Sequence, residues 1–440
     1  MKKIIGIFAI IFLFVNLISM NVLSETDSTE KPSVIRQNQV IIDMIVELDE
    51  EMVIEYIENL TSFGPRWKGT EECHEAGRYI YNEFLKMGLD VRYDNFSFEY
   101  YGEPMDGFNV EATLYGKDPN SDKIYILCGH YDSWKNSPGA DDNGAGIAAI
   151  LSAANIMRNY DFNHTIRFVA FDAEENGHFG SYHYVKDCFE NNTNIIAALN
   201  ADMMGFYKTQ EGSSKVTVHD DEDDWTESVW LTDFAEEISL KYYEYINLEV
   251  YRGGYIYWSD HENFWEFGYD AIMYFEYEYE LNPYYHTSQD IIKNMKPDYA
   301  TNVSKLTLAT LCELSGIYSN NKPDMPYITG ENEGKFEEEY TYNIVTLDPN
   351  DDNVFYFVDW GDNQTADWIG PYNSGQSIDI NHIWVEQGYY IIRVKAKDIY
   401  DEESEWATLE VSMPKQKISN QIPKILMWLF ERFPFLESLF

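Results

Sequence analysis

The chain has 440 residues, of which 45% are hydrophobic, and a formal net charge of −45. That length predicts two or more domains, with apolar content ample for a large core. The acidic balance argues against nucleic acid as a partner, which needs a basic footprint, and reads as a solvated acidic surface able to attract cationic substrates.

In chain order, Lys2-Lys3 and an apolar run from Ile4 to about Ile18 lead to Val22-Leu23-Ser24. This reads as a signal peptide over 1–24, implying a secreted or cell-surface location. The run is short for a membrane span. Residues 25–39 are a polar, flexible lead-in. The pattern from Val40 to Thr61 predicts two short helices, and Ser62–Thr70 a turn-rich loop. A helix over about 72–87 is stopped by Gly88. Strands are predicted around 91–101 and 107–115, and the apolar run Ile124–Cys128 reads as a buried strand.

Beyond it come a Pro-Gly loop, Asp141-Asp142 and a helix from Ile147. Further strands are expected at 165–171, 195–200, 216–219 and 271–275, with helices from Ser181, over 223–245 and over 298–318. This alternation predicts an α/β domain over 40–319, with a largely parallel central β-sheet flanked by helices. Pro323, Pro326, Gly330 and Gly334 mark a linker over 320–335. Alternating short strands over 336–413 predict an all-β sandwich. The tail 414–440 is apolar and aromatic with scattered charges. It is read as an amphipathic segment and a candidate for membrane-surface or cell-envelope contact.

The cysteines, Cys73, Cys128, Cys188 and Cys312, form no CxxC pair. A disulfide-stapled small fold is excluded, one bridge stays open, and Cys128 reads as a buried thiol.

The chemistry gathers at predicted strand ends: His130, Asp132, Asp142, Glu174, Glu175, Asp202 and His286. In α/β sheets ligands bind at the carboxyl ends of strands. Imidazole with carboxylate suits zinc. Two His and three carboxylates give two metals three ligands each only if one carboxylate bridges, and Asp142, in a tight glycine-flanked loop, is the natural bridge. Paired metals can acidify a water and polarise a carbonyl. Of Glu174-Glu175, one can bind metal while the other acts as general base. Asp141 is left as a loop residue. His74, His164, His178, His183, His219 and His382 are read as structural.

These motifs resemble the zinc-dependent aminopeptidases related to bacterial leucyl aminopeptidase, in the wider group that includes glutamate carboxypeptidase and glutaminyl cyclase. The resembling stretches are SFGPRWKGT (62–70), GHYDS (129–133), PGADDNGAG (138–146), AEENGHFGS (173–181), NADM (200–203), SDHENF (259–264) and YHTSQD (285–290). The resemblance implies a zinc-exopeptidase fold and two Zn²⁺ per chain, one on His130, Asp142 and Asp202, the other on Asp142, Glu175 and His286. It further implies Glu174 as general base and Asp132 as the residue fixing the His130 ring. A tyrosine is implied for the oxyanion, Tyr255 or Tyr257. The implied substrate is a peptide or protein N-terminus. A glutaminyl cyclase-like enzyme, a carboxypeptidase and an inactive surface-binding protein are the rival readings.

The C-terminal region resembles a PKD-type sandwich through Asp359-Trp360-Gly361-Asp362, His382-Ile383-Trp384 and GYYIIRVKAKD (388–398). Asp348–Asp352 carries oxygens of the kind Ca²⁺ takes, and a plain turn is the preferred reading.

Overall fold

The structure, a computed structural model, describes residues 37–175, 177–221 and 228–414. The expected signal peptide, most of the lead-in and nearly all of the C-terminal tail lie outside the described residues. The chain divides into two compact units between Ile317 and Tyr318.

In the first unit the two expected N-terminal helices are α1 (Gln39–Glu47) and α2 (Glu50–Thr61). Asn38 and Asp49 cap them, accepting the amides of Val40 and Met52; such caps satisfy otherwise unpaired helix-start donors. Helix α3 (Glu71–Lys86) follows with Thr70 as cap.

Eight strands form one sheet: β1 (Asp90–Tyr100), β2 (Glu103–Leu114), β3 (Ile124–His130), β4 (Thr165–Phe171), β5 (Ile195–Ala201), β6 (Lys215–His219), β7 (Glu249–Arg252) and β8 (Ala271–Glu276). Their order is β1-β2-β4-β3-β5-β8-β6-β7. Parallel pairings form the middle, β4-β3-β5-β8, and β7 pairs parallel with β6 at one edge. The β1-β2 hairpin joins β4 antiparallel, and β6 runs antiparallel to β8. The sheet is therefore parallel at its centre and mixed towards its edges. Strand β3 is almost wholly buried, as an uninterrupted apolar strand between parallel neighbours should be.

Helices α4 (Gly144–Met157), α5 (Phe179–Glu190), α6 (Val229–Lys241), α7 (Tyr243–Ile246), α8 (His261–Glu266) and α9 (Pro297–Ser315) complete the unit. The helix expected over 223–245 begins at Val229 among the described residues and is interrupted at Tyr242. Helix α4 is apolar on nearly every side and buried. Glycines allow close approach here: a Cβ at Gly146 of α4 would come within 2.2 Å of the Ala201 carbonyl oxygen, and one at Gly129 of β3 within 2.6 Å. All four cysteines are buried and unbridged, so the bridge left open by the sequence is absent. No helix among the described residues is long and apolar enough to cross a membrane.

The second unit is all β: β9 (Tyr327–Thr329), β10 (Glu339–Val345), β11 (Val354–Asp359), β12 (Thr365–Tyr372), β13 (Ile378–Ile383), β14 (Gly388–Asp398) and β15 (Ala407–Met413). Strands β13-β10-β9 form one antiparallel sheet and β12-β11-β14-β15 another. Strand β9 falls inside the segment read as a linker and pairs with β10. Alternate residues of β10 and β11 turn inward, onto one core with Tyr342, Tyr356, Trp360, Trp384 and Val394. Asp348 folds its own turn, accepting the Asn350 and Asp352 amides at 2.8 and 3.2 Å.

Candidate metal centre

Three neighbouring strands of the first unit end at one place. β3 delivers His130, the turn after β4 delivers Glu174 and Glu175, and β5 runs into Asp202. Asp142 comes from the loop before α4, and His286 from the loop beyond β8. Sequence separation of up to 156 residues thus collapses into one cavity lined by His130, Asp142, Glu174, Glu175, Asp202 and His286.

Two groups of possible ligands share Asp142. The ligand atoms of His130, Asp142 and Asp202 lie within 4.8 Å of one another, as do those of Asp142, Glu175 and His286. His130 Nε2 is 3.4 Å from Asp142 Oδ1 and 3.5 Å from Asp202 Oδ1. His286 Nε2 is 3.2 Å from Asp142 Oδ2 and 3.1 Å from Glu175 Oε2. Asp142 therefore turns one oxygen to each group. A tetrahedral ion with bonds of ~2.0–2.1 Å separates its ligand atoms by about 3.3–3.4 Å, close to these distances.

The donor set fits zinc on two further grounds. Glu175 Oε1 and Asp202 Oδ1 are buried without any hydrogen-bond partner, a costly arrangement unless a cation takes the lone pairs. The carboxylates also crowd one another: burial, then Asp142, pushes Glu175 up to about 8. His286 is opposed by burial but held up to about 10 by Asp142 and Glu175. A divalent cation relieves both effects.

Asp132 is buried behind the site. His130 Nδ1 lies 3.2 Å from its carbonyl oxygen and 3.4 Å from its Oδ1. Its carboxylate also accepts the amides of Glu174 at 3.0 Å and Glu175 at 3.2 Å. One side chain thus orients a histidine and clamps the neighbouring turn. Asp141 is more than a loop residue. It is buried, accepting the Gly205 amide at 2.7 Å and the Asn282 side chain at 3.1 Å. Asp290 accepts the amides of Asp141 and Asp142 at 2.8 and 3.2 Å. Arg66, fully buried, donates to the carbonyls of Tyr131, Pro138 and Gly139. The loop holding Asp142 is braced from both sides.

Of the two tyrosines considered for the oxyanion, Tyr257 lines the cavity, whereas the Tyr255 ring stacks on Trp265 at 5.7 Å. Sequence reasoning placed Tyr285 in a tyrosine-rich segment suited to line a pocket but did not put it forward for the oxyanion; it lines the cavity. Burial, then the nearby carboxylates of Asp142, Glu175, Asp202 and Glu174, pushes its phenol far above the usual range. Sequence reasoning missed Trp134, stacked on His286, and His178, beside Glu174. Position next to a ligand was the available signal for Tyr285; Trp134 directly follows GHYDS, and His178 stands four residues after Glu174 within AEENGHFGS.

Ala173, His178, Met203 and His286 all have positive φ, between 47° and 57°. Such strain in residues other than glycine clusters at functional sites.

Residues 109–311 match Peptidase family M28. The chain is similar to "Leucine aminopeptidase 1" of Leptosphaeria maculans, 26% identical over 312 residues, covering 68% of this chain and 79% of the relative. Among solved structures it resembles LapB from Legionella pneumophila, with a TM-score of 0.56 at 25% identity over 64% of this chain and 77% of that one. It also shares the fold of BSAP, a zinc aminopeptidase from Bacillus subtilis, with a TM-score of 0.52 at 19% identity over 61% and 95% of the two chains. Motif order, fold and relatives agree in likening the first unit of the chain to peptidase family M28, whose match spans residues 109–311.

Proposed function

We propose that the chain is a secreted di-zinc aminopeptidase that removes single residues from peptide N-termini. The carrying observation is Asp142, which offers Oδ1 to the His130–Asp202 group and Oδ2 to the Glu175–His286 group. When bound, a zinc pair there supplies Lewis acidity to a water and to the substrate carbonyl.

The chain's own residues do the rest. Glu174 Oε2 faces the ligand cluster, 3.8 Å from His130 Nε2. It takes a proton from the attacking water and returns it to the leaving amine. The Tyr285 or Tyr257 hydroxyl donates to the developing oxyanion. Met203, Ile256, Met273, Phe275 and Tyr279 form an apolar wall that receives an apolar N-terminal side chain, while the surrounding carboxylates attract the free α-ammonium. The cavity is about 280 Å³, small beside typical ligand clefts of ~300–1,000 Å³. That size suits the end of a peptide better than its middle.

Secretion rests on the N-terminal signal pattern. The second unit is read as a PKD-like accessory module on its sequence motifs, and the C-terminal tail as an envelope-contact segment on its apolar and aromatic composition.

The test is a peptide-library digest with the full chain, with zinc and with a chelator. N-terminal trimming that stops on chelation, with two zinc ions per chain, is expected. One zinc with pyroglutamate formation, or cutting from the C-terminus, would overturn the reading.

A further inference from the structure

The two oxygens of Glu174 have different surroundings. Oε2 faces the ligand cluster. Oε1 lies 3.3 Å from His178 Nε2, and on the far side of that ring Nδ1 lies 3.4 Å from Glu262 Oε2. A carboxylate–imidazole–carboxylate row therefore runs from the catalytic cavity to helix α8.

The segment carrying the ring is held by contacts between the start of α5 and α8. His178 occupies the left-handed region, φ 47° and ψ 35°, just before α5. A non-glycine residue in that region costs on the order of 1–3 kcal/mol. Its carbonyl accepts from Asn263 of α8 at 3.2 Å and from Ser181 of α5 at 3.2 Å. Asn263 also donates to Ser181 Oγ at 2.8 Å. The segment is thus pinned in the orientation that turns the imidazole towards Glu174.

The donor inventory says what this achieves. A neutral imidazole has one N–H and one acceptor nitrogen, whereas the imidazolium has two N–H groups. With carboxylate oxygens at both nitrogens, all three groups are satisfied when the ring carries both protons. The cation then lies on the side of Glu174 remote from the metal ligands, and Glu262 balances it.

We propose that His178, tethered by Glu262, is a positioning residue for Glu174. It fixes Oε1 and so leaves Oε2 as the oxygen presented to water and substrate. The inference rests on the reading of Glu174 as the general base.

The experiment uses the full zinc-loaded chain and an aminoacyl-anilide with an apolar residue. His178→Ala should lower kcat about 10- to 100-fold, the range for losing a partner that orients an active-site group. KM should stay within about threefold, and zinc content at the wild-type level. His178→Gln, whose amide can donate to Oε1, should recover most of the loss. Glu262→Gln should lower kcat in the same direction by a smaller factor. An active wild type with His178→Ala and Glu262→Gln both within twofold of its kcat would overturn the inference alone. So would a defect in His178→Ala that tracks zinc loss, with no recovery in His178→Gln. Wild type lacking chelator-sensitive hydrolysis would overturn the aminopeptidase reading itself, and the inference with it.

Discussion

The Trp134 indole lies flat against the His286 imidazole, with ring centroids 4.2 Å apart and planes 9° from parallel. Tyr285 covers the same imidazole, at 3.8 Å and 27°. His130 is oriented by contact with Asp132, whereas His286 is gripped between two aromatic faces. An aromatic contact is worth about 0.5–1.5 kcal/mol. Trp134→Ala should therefore weaken zinc at the Glu175–His286 group by about two- to tenfold, and Trp134→Phe should restore most of it. Competition titration against a chelator measures this; an unchanged affinity in Trp134→Ala would count against the stacking argument.

Asp142→Asn should disturb both metals, because each of its oxygens belongs to a different ligand group. His130→Ala and His286→Ala should each lower zinc content by about one equivalent and leave the other ion in place. Elemental analysis after dialysis distinguishes the three. If Asp142→Asn lost a single ion, the bridging role would be wrong.

The tyrosines separate by kinetics. Removing one oxyanion donor costs about 10²–10³ in kcat. Tyr285→Phe or Tyr257→Phe should show that loss with little change in KM. Tyr255→Phe should be close to wild type, since its ring packs on Trp265 outside the cavity. A large kcat loss in Tyr255→Phe alone would reverse the assignment.

Asp172 gives a pH test at a buried carboxylate that is not itself a candidate ligand. Burial, then Asp132, pushes its carboxyl up to about 7, against roughly 3.9 in an unfolded chain. The folded protein binds this proton more tightly than the unfolded chain. Its contribution to stability is therefore complete below about pH 4 and is lost as pH rises through about 7. Asp172→Asn removes the titration and retains an oxygen able to accept from the Phe108 amide, which now donates to Asp172 at 3.3 Å. Thermal unfolding at pH 5 and pH 8 should show a smaller fall in Tm for the variant than for wild type. Equal falls would mean that Asp172 is ionised throughout.

The parts of this site that could be read in the sequence are those announced by strand ends. His130, Asp132, Glu174, Glu175 and Asp202 each follow an apolar run, and the alternation of runs and helices implied the sheet that joins them. Trp134 and His178 act partly through contacts made across the fold, to the ring of His286 and to Glu262 on α8, while Tyr285 stacks on its own neighbour His286. No local periodicity encodes such contacts. Asp141 was underestimated for the same reason, since its partners Gly205 and Asn282 lie 64 and 141 residues away. Strand β9 was lost among prolines and glycines because three residues are too few to show alternation. The antiparallel joining of β2 to β4 likewise depends on pairing rather than on composition.

The order β4-β3-β5 at the sheet centre makes strand pairing a condition for loading metal. His130 is paired with Phe171 of β4, and the neighbouring Cys128 with Asn200 of β5. A slip of β3 by a single residue would bring Gly129 to the ligand position and turn the imidazole to the opposite face. On the proposed reading, zinc content would therefore serve as a proofreading signal: a chain that has folded compactly but in the wrong register would be recognisable by its failure to hold the ion.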